Sequence, residues 1–119
     1  MSARQVLLVD DNLDFRDALA KTLQGLGYDV ETATNGLEAL DRLRWGLRPC
    51  AILLDMRMGV MTGWDFRAEQ QRSPELAAIP VIAMTAGQWK QQDLAEFSAR
   101  VEKPIDVTRL AAVLQQTCH

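Results

Sequence analysis

The sequence predicts an open α/β fold in which helices cover both faces of a parallel sheet. Short apolar runs alternate along the chain with longer stretches of helical periodicity, and no internal repeat interrupts this order. The apolar runs are continuous, which is typical of parallel strands buried on both faces. The chain has 119 residues, about half of what a closed eight-stranded barrel needs. We therefore expect a doubly wound (βα)5 arrangement in a single domain spanning residues 1–119.

Five segments have the composition of strands. Three are short and wholly apolar, as expected for the middle of the sheet, and two are more polar, which suits strands nearer its edges. The apolar segments are residues 6–9, 51–54 and 81–84, and the more polar ones are residues 28–33 and 99–102. Because parallel strands end at the same edge of a sheet, the residues that follow these segments should be neighbours in space.

Five helices are predicted between and after the strands. The first ends at Gly27, and Asn35 and Asp106 are candidate N-caps of the second and the last. The third, before Ser73 and Pro74, and the fourth have poor apolar faces. The helices are marked by residues 15–26, 37–43, 66–68, 89–97 and 107–114.

Composition and charge exclude several classes of function. Lys and Arg number 13 against 16 Asp and Glu, and a net charge of −3 disfavours counterion-driven binding to nucleic acid. No apolar stretch reaches the roughly 20 residues that span a bilayer, and no signal-type segment is present at the N-terminus. We therefore expect a cytoplasmic protein that binds neither DNA nor a membrane.

The two cysteines, Cys50 and Cys118, are far apart in the sequence and form no CxxC motif, with the one histidine, His119, beside the second. This spacing argues against a disulfide framework and against a sequence-evident zinc site. Cys50 is interpreted as a small buried apolar residue at the start of a strand.

Chemically active side chains follow four of the predicted strands. Asp10 and Asp11 follow the first, Asp55 the third, Thr85 the fourth and Lys103 the fifth. Three carboxylates at one sheet edge repel each other, which is costly unless a cation lies among them or protons are taken up. An all-oxygen ligand set favours a hard ion, and a small site that also receives a phosphate oxygen favours Mg²⁺ over Ca²⁺. Thr85 and Lys103 add the hydroxyl donor and the fixed positive charge that a phosphoryl group requires.

Each of these residues also has an ordinary structural explanation. Asp10 or Asp11 could cap the first helix, Asp55 could be a loop acid, Thr85 a turn hydroxyl and Lys103 a solvated charge. Their joint occurrence at the ends of successive strands favours a common site.

The sequence resembles the receiver domain of bacterial two-component response regulators, the CheY-like superfamily. The matching segments are LLVDDN at residues 7–12, ILLDMRM at residues 52–58 with Gly63 beyond it, MTA at residues 84–86 and EKP at residues 102–104. The resemblance covers nearly the whole chain. It implies a flavodoxin-like fold with strand order 2-1-3-4-5, and transfer of a phosphoryl group from a phosphohistidine onto an aspartate.

The resemblance also implies a role for each matching residue. Asp55 is the expected phosphoacceptor, with Thr85 bonding the phosphoryl group and Lys103 pairing first with Asp55 and then with that group. Asp11 and Asp55 are expected to ligate Mg²⁺ directly, with Asp10 acting through a metal-bound water. The carbonyl of Arg57 completes the expected ligands, and the backbone N–H groups of Arg57 and Ala86 complete the phosphoryl cradle.

Four positions depart from the family pattern. Gly59 stands where a proline is common, and Arg100 stands where an aromatic residue usually couples to the threonine. Only 17 residues separate Thr85 from Lys103, which predicts a trimmed fourth helix or following loop. Arg57 and Gly87 occupy the positions associated with the rate of phosphoryl hydrolysis.

Partners and rival functions follow from the same comparison. The resemblance implies a histidine kinase or histidine phosphotransfer protein as phosphoryl donor, and a downstream protein or a second copy of this chain as the target. It implies a phosphoacceptor with at most slow autodephosphorylation, rather than a turnover enzyme. A non-phosphorylated pseudo-receiver is one rival. A haloacid-dehalogenase-like phosphatase is another, although its DxD signature is missing from the first strand.

Overall fold

The structure of the chain is a computed structural model that describes residues 4–86 and 96–118. Five parallel strands form one sheet in the order β2-β1-β3-β4-β5, as predicted, with helices on both faces. Its strands are β1 (Gln5–Val9), β2 (Asp29–Ala33), β3 (Ala51–Asp55), β4 (Val81–Thr85) and β5 (Ala99–Glu102). Its helices are α1 (Leu13–Gly25), α2 (Gly36–Arg44), α3 (Gly63–Gln71), α4 (Pro74–Ala77) and α5 (Val107–Thr117).

The apolar runs occupy the centre of the sheet. β3 and β4 are buried along their whole length, whereas β2 and β5 at the two edges are partly exposed. Successive residues of a strand point to opposite faces, so β1 contributes Leu7 to one core and Leu8 to the other. One core lies beneath α2 and α3, and the other beneath α1 and α5. Burial on both faces explains why these strands have no polar alternation.

Side chains and glycines set the ends of the helices. Asn35 accepts a hydrogen bond from the Glu38 N–H at 2.9 Å, and Asp106 accepts one from the Thr108 N–H at 2.9 Å, so both predicted caps are confirmed. The cap of α1 is Asn12, so the interpretation of Asp10 or Asp11 as its cap is wrong. Gly27 follows α1 with a φ of 97°, a left-handed conformation that glycine adopts without steric cost.

The connection from α3 to β4 contains a one-turn helix, α4, that the sequence did not predict. Pro74 occupies its first turn, where a missing N–H is tolerated. Gln70, at 0% exposure, donates hydrogen bonds to the carbonyl of Leu76 at 2.7 Å and to that of Ile79 at 3.1 Å. A buried amide on α3 therefore fixes the segment that leads into β4.

The two cysteines form a disulfide. Their spacing in the sequence argued against a disulfide framework, and that expectation is wrong. Cys50 directly precedes β3 and Cys118 follows α5, with their Cα atoms 5.1 Å apart across a sequence separation of 68. Parallel strands start at one edge of the sheet and each helix returns to that edge, which brings the two residues together. In the chain-entropy account, closing a loop of this length contributes about 4 kcal/mol to stability.

Two sequence-based expectations lie partly or wholly outside the described residues. The predicted fourth helix at residues 89–97 falls almost entirely in the segment that the structure does not describe. Gly87 lies wholly within that segment. Within residues 4–86 and 96–118, no helix has the length and apolar character needed to cross a membrane.

We predict that Gln70→Ala lowers the free energy of unfolding by about 2 kcal/mol, because two buried carbonyls lose their donor. Urea denaturation followed by circular dichroism measures the change. The matched control is Gln116→Ala on the exposed side of α5, with an expected effect within about 0.5 kcal/mol. Equal losses for the two variants would show that the buried amide does not hold this segment.

Candidate functional site

Five of the predicted site residues meet at the carboxyl edge of the sheet. The strand register places the end of β3 between the ends of β1 and β4, because Val9 pairs with Leu54 and Asp55 with Met84. The next pair, Thr85 with Glu102, puts Lys103 just beyond the end of β5. The site residues are Asp10 and Asp11 after β1, Asp55 at the end of β3, Thr85 at the end of β4 and Lys103.

Three carboxylates form the acidic part of the site. One oxygen from each of Asp10, Asp11 and Asp55 lies within 4.8 Å of the others. Asp10 and Asp55 are buried, at 0% and 7% exposure, whereas Asp11 is exposed. Oxygens of three carboxylates at this spacing, open to solvent on the Asp11 side, fit a hard divalent cation such as Mg²⁺.

Lys103 binds two of these carboxylates. Its Nζ lies 2.9 Å from an oxygen of Asp10 and 3.6 Å from one of Asp55. The resemblance implied pairing with Asp55, and the structure adds the shorter contact with Asp10. The backbone N–H of Lys103 also donates to the Thr85 carbonyl at 2.7 Å, and its peptide bond to Pro104 is cis. The lysine charge therefore lies between both buried acids.

The cap and the first turn of α1 supply contacts to the site that the sequence did not predict. The ring of Phe15 lies 4.3 Å from Lys103 Nζ, a cation–π distance. Arg16 Nη1 donates to the carbonyl of Asp10 at 2.9 Å, and the Asn12 N–H donates to the Asp10 carboxylate at 2.9 Å. Phe15 and Arg16 could be recognised in the sequence by their positions three and four residues after the cap Asn12, in the turn nearest to the sheet edge.

The electrostatics of Asp55 are set by burial and by its neighbours. Burial, the largest cause, raises the pKa of the Asp55 carboxyl group above its ordinary value, and the charges of Asp10 and Asp11 raise it further. A hydrogen bond from the Arg57 N–H at 3.2 Å and the charge of Lys103 act to lower that pKa. The net increase means that the folded protein favours the ionised form of Asp55 less strongly than water does.

The loop between β3 and α3 closes against Asp55. The Gly63 N–H donates to the Met56 carbonyl at 3.3 Å. A Cβ atom at residue 63 would overlap the Met56 side chain and lie 3.1 Å from the Met56 Cα. Any other residue here would force Met56 to shift, which explains the Gly63 of the sequence pattern.

The remaining predicted residues differ in exposure. Thr85 is buried at the end of β4, and Ala86 after it is exposed. Arg57 and Gly59 are exposed in the loop after β3. Arg100 is half-buried on the edge strand β5, where it pairs in register with Ala83.

Comparison with known proteins defines the class of the chain. The family model of the response regulator receiver domain matches residues 6–115. The chain belongs to this family, whose members are receiver domains of two-component systems with a flavodoxin-like fold. Receiver domains are signalling phosphoacceptors and are generally not classed as enzymes.

Curated relatives differ widely in length. The polar-differentiation response regulator DivK from Brucella anthropi is 31% identical over 116 residues, which cover 94% of this chain and 94% of DivK. The sensor histidine kinase CheAY from Helicobacter pylori is 39% identical over 82 residues, which cover 68% of this chain but 10% of CheAY. The chain therefore spans nearly all of some relatives and a small part of others.

Solved structures share the fold over almost the whole chain. The chemotaxis protein CheY4 from Vibrio cholerae has a TM-score of 0.86 and 30% identity, covering 98% of this chain and 99% of that chain. The receiver domain of the sensor histidine kinase PA1611 from Pseudomonas aeruginosa has a TM-score of 0.87 and 28% identity, covering 98% of each chain. That neighbour has a magnesium ion coordinated in its active-site cleft.

We predict that Asp55→Asn stabilises the metal-free protein at neutral pH. Because the pKa of Asp55 is raised in the folded state, the stability that this group contributes is complete below its unfolded pKa of about 4 and is lost as the pH rises. Asparagine does not ionise and avoids this loss. Urea denaturation in EDTA should therefore show a higher free energy of unfolding for the variant at about pH 7. This gain should shrink as the pH falls toward about 4, the unfolded pKa.

Asp41→Asn on α2 is the control for this measurement, since it removes the same charge from an exposed position outside the carboxylate cluster. A gain for Asp55→Asn that is independent of pH, or that is matched by Asp41→Asn, would contradict the explanation based on burial and repulsion.

Proposed function

We propose that this chain is a single receiver domain that accepts a phosphoryl group on Asp55 from the phosphohistidine of a histidine kinase or a histidine phosphotransfer protein, in a reaction that requires Mg²⁺. The observation that supports this most directly is the position of the Asp55 carboxylate, which lies among Asp10, Asp11 and Lys103 at the carboxyl edge of the sheet. Membership in the receiver family supports the same reaction.

The contacts of the three acids favour Asp55 as the acceptor. Asp10 is fully buried, and its two carboxylate oxygens accept hydrogen bonds from the Asn12 N–H and from Lys103. Asp11 is exposed at the rim. Asp55 is intermediate in exposure between Asp10 and Asp11, and one of its oxygens accepts a hydrogen bond from the Arg57 N–H.

In the proposed reaction, an oxygen of Asp55 attacks the phosphorus atom in line with the phosphorus–nitrogen bond of the phosphohistidine. That bond breaks and its electron pair stays on the imidazole nitrogen. Lys103, the Thr85 hydroxyl and the N–H groups of Arg57 and Ala86 stabilise the negative oxygens of the transferring group. Such transfer needs positioning and charge neutralisation more than covalent assistance.

The acidic residues have a second proposed task, which is to hold the cation. Asp11, Asp55 and the carbonyl of Arg57 are the proposed direct ligands, with Asp10 acting through a bound water. When bound, Mg²⁺ supplies positive charge next to the phosphoryl oxygens. The ion would also offset the effects of burial and of the neighbouring carboxylates, which raise the pKa of Asp55.

The proposed output is a change in protein binding. A phosphoryl group adds about two negative charges, and movement of Thr85 toward it shifts a pre-existing equilibrium between two conformations. Arg100 stands where the family usually has an aromatic residue that couples to the movement of the threonine. We therefore expect this coupling to differ in this chain. The target is a downstream protein or a second copy of the chain, the proposed location is the cytoplasm, and any autodephosphorylation is slow.

We predict that acetyl phosphate with Mg²⁺ adds one phosphoryl group to the wild-type chain and none to Asp55→Asn. Intact-mass spectrometry measures the addition, and Asp41→Asn serves as a control that should be modified like the wild type. A wild-type chain that stays unmodified by acetyl phosphate and by a phosphorylated kinase would favour the pseudo-receiver alternative.

We predict that Asp11→Asn weakens Mg²⁺ binding at least about tenfold, as expected when a carboxylate ligand of a divalent ion is neutralised. Isothermal titration calorimetry measures the affinity. Asp14→Asn, at an exposed carboxylate on α1 outside the cluster, should leave it within about twofold, since such a charge is screened by salt. Similar losses of Mg²⁺ affinity for both variants would show that the effect is general electrostatics and not the loss of a ligand.

A further inference from the structure

The Cys50–Cys118 disulfide lies at the edge of the sheet opposite to the acidic site. Cys50 precedes β3 and its N–H donates to the Gln5 carbonyl at 2.8 Å, while Asp55 lies at the other end of the same strand. Five strand residues separate the two ends by about 17 Å. The cysteine pair is therefore a second chemical site that takes no part in the proposed phosphoryl chemistry.

Contacts independent of the sulfur–sulfur bond hold the pair in place. The Cys118 N–H donates to the Leu114 carbonyl at 2.7 Å, and the Cys118 carbonyl accepts from Arg4 Nη1 at 3.4 Å. Leu110 and Leu114 of α5 are fully buried in the core beneath α1 and α5. These contacts do not need the disulfide, so the fold can keep both cysteines adjacent after reduction.

The two cysteines differ in access to solvent. Cys118 is completely buried, at 0% exposure, within the same core, whereas Cys50 is half-buried at its margin. Thiol–disulfide exchange requires an incoming thiolate to reach one sulfur in line with the bond. Cys50 is the more accessible of the two for such an attack.

We propose that Cys50 and Cys118 form a reversible redox pair that exchanges with thiols of the glutathione class, with Cys50 as the residue that is attacked. A glutathione thiolate bonds to the Cys50 sulfur, the Cys50–Cys118 bond breaks, and its electron pair leaves on Cys118 as a thiolate. A second glutathione thiolate then attacks the glutathione sulfur of the mixed disulfide, releasing Cys50 as a thiolate and oxidised glutathione; both protein thiolates then take up protons. Oxidised glutathione drives the reverse reaction.

This proposal accounts for a disulfide in a chain expected in a reducing compartment. Disulfides in such compartments are mostly transient or redox-sensing rather than permanent. Reduction would remove the covalent link between the start of β3 and the end of α5 and leave the carboxylate cluster intact.

The first experiment follows the intact mass of the folded chain under non-reducing conditions. Excess oxidised glutathione should remove two hydrogen atoms from the reduced chain, and excess reduced glutathione should restore them without denaturant, with an unchanged circular dichroism spectrum. A chain that stays a dithiol in oxidised glutathione, or a disulfide that is reduced only after unfolding, would overturn the proposal.

The second experiment tests the order of attack. Cys118→Ser leaves Cys50, which should form a mixed disulfide with oxidised glutathione on the order of tenfold faster than Cys118 does in the Cys50→Ser variant. In guanidinium chloride the two rates should converge, because the difference arises from the fold. Equal rates in the folded variants, or a faster reaction at Cys118, would contradict attack at Cys50.

The wild-type chain provides the same information if a variant does not fold. Brief treatment with reduced glutathione and trapping with an alkylating reagent should yield glutathione on Cys50 and the alkyl group on Cys118, as read by peptide mapping. The opposite pattern would assign the attack to Cys118.

Discussion

The arrangement of the site depends on one electrostatic constraint, the close approach of buried acids at the end of a parallel sheet. Strands β1 and β3 are neighbours, with Asp10 directly after β1 and Asp55 at the end of β3, so the two carboxylates meet where little water can screen them. Lys103 lies within 3.6 Å of both and is held by the ring of Phe15 and by its backbone bond to Thr85. One lysine offsets part of this negative charge, and burial together with the remaining repulsion raises the pKa of Asp55. A site built in this way attracts positive charge.

Much of the fold and the composition of the site could be predicted from the sequence, because both depend on short-range patterns. The continuous apolar runs identified the central strands, and the parallel topology then placed the residues after each strand at one edge. Asn35 and Asp106 were recognisable as caps because capping depends on one side chain and the next few N–H groups. The grouping of Asp10, Asp11 and Asp55 followed from the same rule, since these residues lie at the carboxyl ends of two parallel strands.

The features that the sequence did not predict depend on contacts between distant segments. Gln70 appears polar on a weakly patterned helix, and only the positions of Leu76 and Ile79 show that its amide belongs inside. The Cys50–Cys118 pair carries no local spacing signal, because it is created by the return of α5 to the starting edge of the sheet. Phe15 fitted the apolar stripe of α1, and its contact with Lys103 involves a segment far along the chain.

The disulfide divides the chain into a covalent ring and a linear N-terminal portion. Asp55, Thr85 and Lys103 belong to the ring, whereas Asp10 and Asp11 belong to the portion before it. The 2.9 Å ion pair between Lys103 and Asp10 crosses the boundary between them, and so does the cluster of carboxylates. Neither portion holds all three carboxylates by itself, so the cluster exists only when β1 is paired with β3. Formation of the cluster thus depends on the pairing of two strands that lie on either side of Cys50 in the sequence.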